Sequence, residues 1–176
     1  LEVNPEDVTI QKTQRYIELG VNRFSIGIQS LSDLMLKKLN RVHSSKQALS
    51  SVKRAQDAGI SNISVDLMYG LPGLSPEEWK QNLEEVLELN VPHLSCYHLT
   101  IEPKTVFHKQ VSEGRLSMPS DEQSTAQFSS LVETLRLAGY EHYEISNFSK
   151  PSFVSKHNSS YWNGSEYLGF GPSAHS

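Results

Sequence analysis

Between Arg23 and Gln29 the chain alternates: Phe24, Ile26 and Ile28 point one way and Ser25, Gly27 and Gln29 the other, the two-residue period of a β-strand that ends at Ser30. The alternation returns where Ile63, Val65 and Leu67 oppose Ser64, Asp66 and Met68, and further strands are predicted over 93–101 and 142–148. Leu1-Glu2-Val3 reads as the end of one more strand. Helices separate them. Asn4-Pro5-Glu6-Asp7 orders a cap, a first-turn proline and two acids, which predicts a helix running to Leu19 and stopped at Gly20. Others are expected over 31–39, over 45–58, from the capping box Ser75-Pro76-Glu77-Glu78 to about Leu89, and over 121–138 behind the cap pair Ser120 and Gln123. Residues 102–119 read as a connection, and 149–166 as a loop with no more than one helical turn.

Strands that alternate with helices of this size imply right-handed parallel crossovers, so the expected fold is α/β, a sheet or a partial (β/α) barrel with parallel strands and outer helices. Helices would cover the apolar strand faces. The opposite faces, Ser25/Gly27/Gln29 and Ser64/Asp66/Met68, are too small and polar to fill a barrel interior, and they predict a cavity. Glu2, Gln29 and Asp66 fall near the carboxyl ends of three strands, the rim where parallel α/β folds place ligands. From pattern alone Gln29 and Asp66 fit equally well as caps of neighbouring loops, and Arg41 fits either a carboxylate clamp or a surface position.

Composition narrows the classes. In 176 residues, 37% hydrophobic and 20% charged residues suit a globular chain with one real core. A net charge of −4 leaves no basic stripe for nucleic acid, and no apolar run approaches the roughly 18 residues that span a bilayer. Cys96 is the single cysteine, so the chain closes no internal disulfide and cannot hold an iron-sulfur cluster alone. It sits mid-strand and reads as a buried apolar thiol. Gly70-Leu71-Pro72-Gly73 reads as a turn rather than a phosphate cradle, and His93, His108 and His142 lack the spacing of a zinc site.

Several long segments stand in one order and spacing. They are Glu2-Val3-Asn4-Pro5, the run Gly20 to Ser30, Asn40-Arg41-Val42-His43, Asp66 to Gly73 and Glu144-Ile145-Ser146-Asn147-Phe148. Together they resemble the radical S-adenosylmethionine (SAM) family of oxygen-independent coproporphyrinogen dehydrogenases and their relatives. His157-Asn158-Ser159-Ser160-Tyr161-Trp162 resembles a hallmark of that family's heme chaperones of the HemW type, absent from the dehydrogenases.

The resemblance implies a [4Fe-4S] cluster whose cysteines precede Leu1, SAM contacts at Glu2, Gln29, Arg41 and Asp66, with Arg41 on the methionyl carboxylate, and adenine packing near Tyr97. It also implies heme as cargo, with His157, Asn158, Tyr161 and Trp162 as candidates to hold it, a heme-acceptor protein as partner, and a cytoplasmic setting. Residues 1–148 would be the C-terminal half of the barrel domain and 149–176 the start of the following region, in an internal fragment of a longer protein that is itself inactive. Gly169-Phe170-Gly171 would begin a late barrel strand. Two alternatives remain: an oxygen-independent coproporphyrinogen III dehydrogenase, and an unrelated barrel hydrolase with Glu2 and Asp66 as paired acid and base.

Overall fold

The computed structural model describes residues 1–168. The chain runs β1 (Glu2–Val3), a 3₁₀ turn (Pro5–Asp7), α1 (Ile10–Glu18), β2 (Arg23–Gln29), α2 (Asp33–Lys38), α3 (Ser45–Asp57), β3 (Asn62–Tyr69), α4 (Pro76–Glu88) and β4 (His93–His98). It continues through α5 (Val106–Ser112), α6 (Asp121–Leu137), β5 (Glu141–Glu144), β6 (Asn147–Ser149) and α7 (Lys156–Trp162). Six strands form one sheet in the order β1-β2-β3-β4-β6-β5, parallel from β1 to β4. This is the predicted partial barrel.

The apolar strand faces carry the core. Phe24, Ile26, Ile28, Ile63, Val65 and Leu67 are all buried, and they pack with Ala48, Val52 and Ala55 of α3 and with Trp79, Leu83 and Val86 of α4. Each such side chain contributes about 1.5–3 kcal/mol by leaving water. The other face carries rows set by register: Glu2 opposite Ser25, Ser25 opposite Ser64 and Ser64 opposite His93 make one, and Gly27, Asp66 and Ser95 make the next. A bulge between Gly27 and Gln29 shifts the register of β2.

Three expectations need correction. The strand predicted over 142–148 is a hairpin: Glu144 accepts from the Ser146 backbone N–H and turns the chain, so β6 pairs antiparallel with both β5 and β4. Two connecting residues allow only that direction. The first helix begins at Ile10 behind a Thr9 cap, because the Asn4 side chain caps nothing and instead accepts a hydrogen bond from Arg41 Nη1 at 3.3 Å. The stretches 102–119 and 149–166 each hold a two-turn helix, α5 and α7, capped by Thr105 and Ser155. The expected strand at Gly169-Phe170-Gly171 lies outside the described residues.

The turn after β3 is held from inside. Gly70 has φ +70°, which favours glycine, and a Cβ there would lie 2.4 Å from His98 Nε2 and would have to displace that ring. Its N–H donates to Gln127 Oε1 at 2.8 Å, Gln127 Nε2 donates to the Leu74 carbonyl at 3.1 Å, and Trp79 Nε1 donates to the Gln127 carbonyl at 2.9 Å. Gln127→Leu leaves two buried backbone groups unpaired and should cost about 2–4 kcal/mol in urea unfolding. A loss under about 1 kcal/mol would show that this glutamine does not hold the turn.

Candidate functional site

The polar face of the sheet opens into two adjoining cavities. The first, of about 540 Å³, is lined by Glu2, Asn4, Ser25, Gly27, Gln29, Arg41 and Asp66 among others. Four of the residues singled out from the sequence, Glu2, Gln29, Arg41 and Asp66, therefore meet on one hollow, although 64 positions separate the first from the last. Each arrives by a different local device. Glu2 and Asp66 come by strand alternation. Gln29 comes by the bulge, with φ +69°, a left-handed conformation that costs a non-glycine residue on the order of 1–3 kcal/mol. Gly27 leaves room beside it, since a Cβ there would lie 2.9 Å from Gln29 Nε2. Arg41 follows α2 and is held by Asn4.

Asp66 is the most perturbed of these groups. The Ser25 hydroxyl donates to its Oδ1 at 2.9 Å. Burial pushes its pKa up to about 6, against the pull of the Ser25 hydrogen bond and the neighbouring hydroxyls of Ser95 and Ser64 and with a further rise from the charge of Glu2. The carboxyl is thus poised to change charge near neutrality, and it faces a cavity that holds one guanidinium and the acids Glu2 and Asp7. Such a mixture suits a ligand that carries both a cationic centre and a carboxylate.

The second cavity, of about 620 Å³, shares Glu2, Ser25 and Asp66 with the first. Residues 152–158, His157 and Asn158 among them, line it together with Tyr97. Tyr97 therefore stands on the neighbouring hollow, across Asp66 from Gln29 and Arg41. Tyr161 and Trp162 are not on its lining and are 52% and 62% exposed on α7. The Tyr161 hydroxyl lies 3.2 Å from His157 Nε2, with the rings 5.1 Å apart edge to face, and Nδ1 of that histidine has no hydrogen-bond partner among the described residues.

Several residues of the site escaped the sequence reading. His93 and Tyr143 meet at 2.8 Å behind the second cavity, and Ser64 Oγ lies 2.8 Å from His93 Nδ1. Burial, helped by the charge of Arg23, lowers the His93 pKa to about 3, so this imidazole is neutral. Burial raises the Tyr143 phenol, while hydrogen bonds from the Ser155 backbone and, more weakly, from the Asn158 side chain oppose the shift. The signal for His93 was its place in the strand phase of Ser95. Tyr143 gave none, because its strand turns back. Cys96 is buried, and burial pushes its thiol far up. Among the described residues no group of three His, Cys, Asp or Glu side chains is arranged to hold a metal ion, and no helix is long and apolar enough to cross a membrane.

Residues 1–86 match the radical SAM superfamily. Over 175 residues and 99% of its length, the chain is 41% identical to the heme chaperone HemW of Bacillus subtilis, covering 46% of that protein. It is 42% identical, again over 99% of its length, to the mitochondrial radical S-adenosyl methionine domain-containing protein 1 of Danio rerio, covering 39% of it. The chain thus spans just under half the length of the curated relatives it matches. Among solved structures it superposes on the coproporphyrinogen III oxidase HemN of Escherichia coli, a radical SAM enzyme, with a TM-score of 0.74 at 23% identity, over 93% of this chain and 37% of that one. That likeness establishes the fold.

Asp66 gives the site a pH signature. Its folded pKa near 6 exceeds the usual 3.8, so the folded state binds the extra proton between these values and loses stability as pH rises through 6. Asp66→Asn removes that burden: its Tm should exceed that of the parent by a few degrees at pH 7–8, and the gap should close below about pH 4. A gap that does not change with pH would show that the carboxyl is not perturbed in this way.

Proposed function

This chain carries a radical SAM domain over residues 1–86, and on that premise we propose that it forms the SAM-binding part of a heme chaperone, a protein that binds heme and passes it to an acceptor protein. The observation that carries the first half of this reading is the convergence of Glu2, Gln29, Arg41 and Asp66 on one cavity. SAM joins a sulfonium, an ammonium, a carboxylate and a ribose diol, and the donor set fits it. Arg41 would take the carboxylate through its planar fork, and Glu2, Gln29 and Asp66 would take the amino and hydroxyl donors. Tyr97, across Asp66, would border the adenine.

The cluster that SAM requires in this superfamily finds no ligands among the described residues, where the single cysteine is a buried, protonated thiol. Bound to such a cluster, SAM supplies one-electron chemistry. The residues of this chain bind and orient it, and the thiolates come from elsewhere in the intact protein.

The heme half of the reading is supported by the similarity to HemW across 99% of the chain and by the His157-Asn158-Ser159-Ser160-Tyr161-Trp162 segment on α7, at the edge of the second cavity. His157 would ligate the iron, Asn158 would border the site, and Tyr161 and Trp162 would lie against the macrocycle. We assign residues 1–148 to the barrel and 149–176 to the start of the following region, and we expect the intact protein in the cytoplasm. A coproporphyrinogen III dehydrogenase is the second reading, favoured by the likeness to HemN in fold alone. The relatives above include no hydrolase, so the pairing of Glu2 with Asp66 as acid and base has no support beyond their shared cavity.

Two measurements on the anaerobically prepared intact protein test this. Arg41→Ala should weaken SAM binding by about 10- to 100-fold in calorimetry, the value of a charge-assisted bond, with the iron content unchanged. Hemin titration should give one saturable site in the wild type, and His157→Ala should lose affinity and shift the Soret band. Absence of iron and sulfide from the intact protein would end the SAM reading, and an unaltered Soret band would remove His157 as ligand.

A further inference from the structure

The helix that carries His157 has little to hold it in place by packing, since α7 contains no buried residue. What ties its start to the sheet is a series of hydrogen bonds that all run in one direction. The Ser155 backbone N–H donates to the Tyr143 hydroxyl at 3.3 Å, which leaves the phenol proton for His93 Nε2, 2.8 Å away. His93 then bears its own proton on Nδ1 and donates to Ser64 Oγ at 2.8 Å, a tautomer assigned from its partners. Ser64 donates to Ser95 Oγ at 3.2 Å, Ser95 to Asn147 Oδ1 at 2.7 Å, and Asn147 Nδ2 to the Glu144 carboxylate. The far end sets the direction, because an amide oxygen only accepts. The chain needs a neutral His93, and burial keeps it neutral. Aligned bonds of this kind polarise and strengthen one another.

We infer that Tyr143 is a positioning residue whose hydroxyl, backed by His93, latches the start of α7 across the second cavity and so presents His157 to a ligand lying against Ser64, Asp66 and Tyr97. Ser155 is the N-cap of α7, and His157 and Asn158 follow within its first turn, so the latch acts two residues from the side chain it aims. The ligand would be a flat, iron-bearing macrocycle. That identity rests on the heme reading above, whereas the latch does not. The His93 and Tyr143 rings are 5.7 Å apart, and phenylalanine at position 143 keeps that packing while it deletes only the hydroxyl.

Hydrogen exchange on the ligand-free intact protein tests the latch without heme. In Tyr143→Phe the amides of residues 156–162 should exchange at least fivefold faster than in the wild type, with those of β2 and β3 unchanged. Equal protection of α7 overturns the latch. If Tyr143→Phe yields no folded protein, Ser155→Pro deletes the donating N–H at a φ of −71° that proline adopts, and comparison with Ser155→Ala, which keeps the N–H and loses only the cap hydroxyl, isolates the same bond. Equal α7 exchange in those two variants overturns it too. In hemin titration, Tyr143→Phe should bind about tenfold more weakly with a Soret shift in the direction of His157→Ala, while SAM affinity stays at the wild-type value. Wild-type heme affinity and spectrum in Tyr143→Phe, where His157→Ala loses both, overturn the presenting role. An unchanged spectrum in His157→Ala itself instead sinks the heme reading, and the exchange result still decides the latch.

Discussion

A carboxylate inside a sheet is the constraint around which this molecule is arranged. Asp66 sits mid-strand on the concave face, and a buried charge there is tolerable only with hydrogen-bond donors at hand. Ser25 donates to it from β2, while Ser64, two residues before it on β3, and Ser95, opposite it on β4, keep the same face polar. Their small side chains also leave the space that large residues would fill. The need to satisfy Asp66 and the existence of a hollow therefore have one cause. Even so, burial prevails over the serines and leaves the group titrating near 6, so the hollow is held open at a cost in stability.

That cost is borne by the opposite face. The apolar row from Phe24 to Leu67 and the helices on it supply a continuous buried layer that does not depend on what the concave side does. The left-handed Gln29, the bulge that precedes it and the turn at Gly70 all lie at or beyond the carboxyl ends of β2 and β3. In parallel α/β folds this is the end where ligands bind.

Because Asp66 and Glu2 line both cavities, a molecule in one lies against the wall of the other. SAM and a macrocycle, if each takes the place proposed for it, would be neighbours across two carboxyl groups. The hairpin of β5 and β6 makes this arrangement possible. Its reversal brings Asn147 onto Ser95 and Tyr143 onto His93, and it places β6, from which the chain departs toward α7, between β4 and the edge strand β5.

The order of elements, the two faces of β2 and β3, the apolar core and the polar positions Glu2, Gln29 and Asp66 were legible in the sequence, because period-2 patterning and capping residues are local signals, although Asp66 lies mid-strand rather than at the rim. The hairpin was not, since Glu144 turns the chain through its own side chain while the alternation of residue types runs on through the turn. Nor was the role of Asn4, which looks like a cap and instead holds Arg41, 37 positions away. The sequence by itself thus determined which residues are polar on which strand face. Only the tertiary structure decided which of them share a hollow, that Tyr97 stands across Asp66 from Arg41, and that His93 and Tyr143 reach the start of α7. Register between strands and the direction of the last hairpin are contacts between distant parts of the chain, and no local pattern encodes their partners.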